Sequence, residues 1–98
     1  LRWLARVNLR VGDMHIKLRR TGDALEFFQK AFEQAQRVDH KLYVGWSYVG
    51  MAHIERLAGN KEEARKLYLK AKDLYLEVDA KSNIGWQISP YLEMLDAT

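Results

Sequence analysis

The side chains in this 98-residue chain with the means to do chemistry are three histidines, a row of arginines and three tryptophans. His15 and His53 sit in two similar segments, VGDMHI at 11–16 and VGMAHI at 49–54. Equivalent places on adjacent helices would bring both rings to one face. Protonation near an ordinary pKa of roughly 6.5 would then set two cations side by side. An acidic partner is expected to bind more tightly as pH falls from about 7.5 to about 5.5. The plainer reading of the pair is a packing position repeated with the fold. A metal site is not expected, because two histidines lack the further ligands that structural zinc needs.

No catalytic constellation emerges. Ser47, Ser82 and Ser89 lie in no nucleophile-elbow setting, and there is no glycine-rich phosphate loop and no HExxH. Glu62-Glu63 reads as a charged helix start. The chain is therefore not expected to be an enzyme or to carry a cofactor. Arg2, Arg6 and Arg10 recur every four residues beside Trp3 and form one stripe. Such a stripe with exposed aromatics suits nucleic acid. A solvated face at the end of an array explains it more simply, so nucleic acid is not the expected partner. Trp46 and Trp86 each follow a glycine and read as packing between repeats.

Composition narrows the class. The chain is 48% hydrophobic and 30% charged with one proline, which suits a single small globular domain over residues 1–98. No run approaches the roughly 18 apolar residues of a membrane span. The absence of cysteine excludes a disulfide scaffold. Together with the lack of an apolar leader it suggests a reducing, cytoplasmic setting. The first residue is Leu1 rather than Met, so the chain is expected to be a piece of something longer. Residues 1–20 carry six Arg and Lys against Asp13 alone, whereas from Asp73 onward only Lys81 offsets Asp73, Glu77, Asp79, Glu93 and Asp96. One end is basic and the other acidic, inside a net charge of +3.

Internal repeats organise the chain. The two VG…HI segments are 38 residues apart, TGD at 21–23 returns as AGN at 58–60, and VDHKLYVGW at 38–46 returns as VDAKSNIGW at 78–86. Ala24, Phe27, Phe28, Ala31, Ala35 and Val38 share one helical face, as do Ala64, Leu67, Tyr68, Ala71, Leu74, Tyr75 and Val78. Leu4, Val7, Val11, Met14 and Leu18 give the same spacing, while Leu42, Tyr43, Trp46, Val49, Ala52 and Leu57 make a helix apolar on several sides. The spacing predicts about five helices, near 2–20, 23–38, 40–57, 60–78 and 81–89 or beyond, and no strands. Gly22 and Gly59 are expected in the turns, with Asp39 and Asp79 as helix N-caps. Pro90 should end or kink the fifth helix near Ser89, leaving Leu92, Met94 and Leu95 as an apolar tail.

GNKEEARKLYLKA at 59–71 resembles the second half of a tetratricopeptide repeat through Gly59, Asn60, Ala64, Tyr68 and Ala71. In the first half Met51 and Ala52 take the usual Leu-Gly places, while Glu55 stands where an aromatic belongs. ALEFFQKAF at 24–32 resembles the matching helix of the preceding unit through Ala24, Phe28 and Ala31, although Gly22-Asp23 run directly into it. The resemblance covers about two and a half units, near 2–38, 40–78 and a half unit at 81–98, at a spacing longer than the usual repeat of about 34. It implies an all-α solenoid of antiparallel helix pairs, with Phe28 and Tyr68 at the junctions between units and the first helix of each pair lining a concave groove. The heat-shock carboxylate clamp of this family is not matched, since its places carry Val11, His15, Val49 and His53.

A non-catalytic scaffold that binds a protein or peptide in that groove is therefore expected. Its candidate contacts are Asn8, Val11, His15, Leu18 and Arg19 from the first unit and Trp46, Val49, His53, Arg56 and Leu57 from the second. The alternative is a sensory or regulatory segment of a larger bacterial signalling enzyme or transcription regulator, which the longer units also resemble. Head-to-tail self-association is a further expectation. Leu1, Trp3, Leu4 and the arginines would meet Trp86, Ile88, Tyr91, Leu92 and Leu95 beside acidic residues, unless the tail folds back past Pro90 and caps the end.

Overall fold

The computed structural model describes residues 2–97, so Leu1, named above as part of the first end, lies outside them. Six helices follow one another: α1 Arg2–Lys17, α2 Thr21–Arg37, α3 Lys41–Leu57, α4 Lys61–Glu77, α5 Lys81–Gln87 and α6 Ser89–Asp96. The first four reversals are built alike. Arg19, Asp39, Gly59 and Asp79 take left-handed φ values of 60°, 51°, 87° and 56°. The next amide donates to the carbonyl five residues back, Arg20 to His15, His40 to Ala35, Asn60 to Glu55 and Ala80 to Tyr75, at 2.8–2.9 Å. These are Schellman turns, closed entirely by main-chain groups.

Two expectations about punctuation change as a result. Gly22 lies inside α2, and Arg19 takes the turn conformation that the glycine was expected to supply. Asp39 and Asp79 end the preceding helices rather than cap the following ones, a role their short polar side chains tolerate. His40 caps α3 instead, its Nδ1 accepting from the Tyr43 amide at 3.2 Å while its ring stacks on Tyr43. The left-handed residues fall every twenty positions, which makes the structural period of each helix pair 40 residues. The sequence spacings of 37 and 38 were local likenesses out of register with it. Asp13, not His15, is the equivalent of His53.

Packing follows the pairs. α1 lies on α2 and α3 on α4, α2 contacts α3, and the two first helices α1 and α3 also touch. One core cluster holds Leu9, Ala24, Phe28 and Ala31, with Tyr43, Trp46, Met51 and Ile54 of α3 against it. Phe28 is fully buried between glycines. A methyl group added at Gly12 would stand 2.8 Å from its ring, and one at Gly50 only 2.3 Å. The second cluster holds Val49, Ala52, Ala64, Tyr68, Ala71 and Tyr75 with Ile84, Ile88 and Leu95. The α1 stripe expected from spacing is not the buried one. Ala5, Leu9 and Gly12 face the core, whereas Val7, Met14 and Leu18 are exposed. The equivalents of Val11 and Met14, one period on, are Met51 and Ile54, which dock on the preceding pair. α1 presents the same apolar face with no pair before it among the described residues.

Pro90 interrupts the last segment as expected, and the chain then continues as a helix. α5 stops at Gln87, and Pro90 enters the first turn of α6, where a missing amide costs nothing. α6 folds back on α4, burying Ile88 and Leu95 and pairing Asp96 with Arg65.

Close approach of Phe28 makes a matched test of the packing. Gly50→Ala is expected to lower unfolding free energy by about 1–3 kcal/mol through overpacking, despite the better helix propensity of alanine. At Gly85 an added methyl meets nothing within 4 Å. Gly85→Ala is expected to raise stability by about 0.5–1 kcal/mol. Urea denaturation of both variants checks the pair of signs.

Candidate functional site

The three successive first helices share one side of the molecule, and a cleft of about 700 Å³ runs across them. α1 contributes Arg10, Asp13, Met14, Ile16 and Lys17 to its walls. α3 contributes Trp46, Val49, His53 and Arg56, α5 contributes Asn83, Trp86 and Gln87, and α6 closes one end with Tyr91. Trp86 is 69% exposed there. It is therefore not the packing residue expected from the repeated Gly-Trp pair. A second, more open hollow of about 500 Å³ lies between the turns at 39–42 and 78–83 and has no aromatic ring but that of His40.

Of the residues singled out from sequence, Trp46, Val49, His53 and Arg56 line the cleft. Asn8 points its amide to α2, donating to the Gln34 side-chain oxygen at 2.9 Å. His15 stacks on Phe27 at 5.4 Å, with Nδ1 buried and without a hydrogen-bond partner among the described residues. Leu18 and Arg19 are exposed at the first turn, and Val11 and Leu57 are not among the lining residues. Three cleft residues of α1, Arg10, Asp13 and Lys17, each stand two positions after Asn8, Val11 and His15. A two-residue slip turns a helix by about 200°, so the 38-residue spacing selected the opposite side of α1. A 40-residue spacing would have pointed from His53 to Asp13 and from Trp46 to Trp86. That second signal was present in the repeated GW.

Two side-chain networks shape the walls. Trp46 donates its indole N–H to Asp13 at 3.0 Å, tying α3 to α1. Burial raises the Asp13 pKa, and the Trp46 bond and the charges of Lys17 and Arg10 oppose that rise. On the other side Tyr68 reaches from α4 between two α3 side chains. Arg56 donates through Nε to the Tyr68 hydroxyl at 3.2 Å, and that hydroxyl lies 2.6 Å from His53 Nδ1. Burial, then the Arg56 charge, push the His53 pKa down to about 4, so the ring is neutral at pH 7. The neutral ring and the Tyr68 hydroxyl share one hydrogen bond whose direction follows the ring tautomer, and the phenol holds its own proton. Burial drives the Tyr68 pKa up to about 12, which keeps that proton in place. Tyr91 covers the group, stacked on Tyr68 at 5.9 Å, edge-on to His53 at 4.5 Å and 4.8 Å beneath the Arg56 guanidinium.

This overturns the pH expectation. His53 carries no charge between about pH 5.5 and 7.5, and His15 is not on the cleft wall. The titration of His53 acts on stability instead. The folded pKa of about 4 lies below the ordinary 6.5, so between those values the unfolded chain binds more protons and stability falls as pH falls. From pH 7 to about 4 the loss from His53 is expected to be on the order of 3 kcal/mol. His40, lowered by burial and by Arg2, adds a slope of the same sign, and the raised Asp13 acts oppositely near its own range. The difference between the wild-type and His53→Gln profiles isolates the group. Urea midpoints measured from pH 7 to pH 4 should fall less in His53→Gln.

The family model for the tetratricopeptide repeat matches residues 3–77, which takes in all of α2, α3 and α4 and nearly all of α1. Comparison with curated proteins and with solved structures gives no match. The match spans both complete helix pairs, and small residues and aromatics stand where those pairs meet. The chain belongs to the tetratricopeptide repeat family.

Proposed function

We propose that this chain is a protein-interaction module that holds a peptide segment of a partner protein in the cleft across α1, α3 and α5. The observation that carries the reading is Trp86, a large aromatic left 69% exposed on the wall of a concave site. Exposed tryptophan in a cleft is a typical interface anchor, since burial of its ring on binding supplies much of the free energy. The cleft volume falls in the range of sites that enclose a ligand, roughly 300–1,000 Å³. Asn83 adds a polar side chain able to meet the main chain of an extended segment, and Gln87, whose oxygen accepts from the Tyr75 hydroxyl, adds its amide N–H groups. Family membership supports the same class of role, because repeats of this kind typically serve as non-catalytic interaction modules. Among the described residues no helix is long and apolar enough to cross a membrane.

Selection from a random peptide library, followed by affinity measurement on the best binder, tests the reading. Trp86→Ala is expected to weaken that peptide by about tenfold or more, the scale of a truncated anchor. Trp3→Ala, which changes another exposed tryptophan outside the cleft, should leave affinity unchanged. Sensitivity at Trp3 with none at Trp86 would place binding on the outer face of α1 instead.

A further inference from the structure

Within that reading of the cleft, on which this step rests, we infer that the bound segment is acidic and that an Asp or Glu side chain seats on the Arg56 guanidinium. Arg56 is held in place from two directions. Its Nε–H is committed to the Tyr68 hydroxyl and its guanidinium lies over the Tyr91 ring. Its two terminal nitrogens have no acceptor among the described residues, and the residue lines the cleft. A planar cation fixed before binding offers a carboxylate two parallel hydrogen bonds at little entropic cost.

The rest of the wall points the same way. Arg10 and Lys17 line the cleft from α1, and neither forms an ion pair with a carboxylate among the described residues. Asp13 is the one acid on the walls, and its carboxylate already accepts from Trp46. His53 is neutral and adds no charge at pH 7. Three cations therefore face one engaged carboxylate, and a basic segment would be repelled. The cations are carried by two different helices, and side-chain carboxylates spaced along a segment suit that spread. The chemistry to be recognised is an internal acidic stretch carrying an apolar or aromatic residue for Trp86.

Fluorescence anisotropy with three labelled peptides tests this: one of alternating Glu and Leu around a single Trp, its counterpart with Gln for every Glu, and the Glu peptide with an amidated C terminus. The Glu peptide should bind at least about tenfold more tightly than the Gln peptide, and affinity should fall as salt screens the cations. Amidation should change little. Arg56→Lys keeps the charge but loses the fork, and should remove most of the preference for Glu, with circular dichroism confirming the fold. Should that variant not fold, Arg10→Gln with Lys17→Gln should reduce the salt dependence. Arg6→Gln, on α1 but outside the cleft, should leave binding unchanged. Equal affinity for Glu and Gln peptides, with Trp86→Ala still weakening both, overturns the acidic preference and leaves the cleft standing. Loss of binding on amidation overturns the side-chain assignment. Failure of all three peptides to bind, or binding indifferent to Trp86→Ala, removes the cleft reading and this inference with it.

Discussion

One aromatic ring sets the spacing of the first three helices. Phe28, rooted in α2, sits so close to Gly12 of α1 and Gly50 of α3 that no side chain fits at either place. The ring is the spacer, and the glycines allow both backbones to close on it. Because the two first helices are held against the same side chain, their outward faces stay side by side. The cleft wall exists because of that constraint. Tyr75 plays a similar part further along, where a methyl at Gly45 would stand 2.8 Å from its ring.

One period later the same position holds Tyr68, and the change of one hydroxyl alters what the position does. Phe28 asks only for apolar neighbours. A buried phenol needs hydrogen-bond partners, since an unsatisfied one costs roughly 1–3 kcal/mol. His53 and Arg56 supply them from α3. The packing contact thus doubles as a brace for two residues on the cleft wall. Burial that makes the brace rigid also keeps the His53 ring neutral and the Tyr68 proton in place. Tyr91 closes the group from α6, where continued helical geometry would have carried the chain elsewhere. Pro90 therefore matters to the site as well as to the end of the array.

Charge is distributed less simply in space than along the chain. The acidic last quarter is divided, with Glu77 paired to Lys41 and Asp96 to Arg65 on well-separated parts of α4. Exposed pairs of this sort contribute little to stability. Their consequence is to disperse the negative charge, while Arg10, Lys17 and Arg56 converge on the cleft from two helices. Arg2 and Arg6, in the same stripe as Arg10, stay outside it. Trp3 remains on the open face of α1, where its equivalent in the next pair, Tyr43, packs against the first core.

Helical class, pairing and the small-and-aromatic junctions were all legible in the residues. Periodicity is local, and Ala24, Phe28, Ala31 and their counterparts Ala64, Tyr68 and Ala71 carry it through several turns. The family resemblance rested on those same positions. The register was present in the repeat of VDHKLYVGW as VDAKSNIGW 40 residues on, but shorter spacings competed with it. A Schellman turn is closed by backbone amides and carbonyls, which every residue but proline provides, so Arg19, Asp39 and Asp79 bore no mark of their left-handed conformation. Two similar histidine segments then suggested a spacing two residues short, and two residues on a helix are more than half a turn. Trp46, Val49, His53 and Arg56 were found because they lie on the helix that anchored the reading. Arg10, Asp13 and Lys17 came into view only once the main-chain hydrogen bonds at each turn had set the rotation of α1 against α3, and Tyr91 only once α6 had folded back over Tyr68.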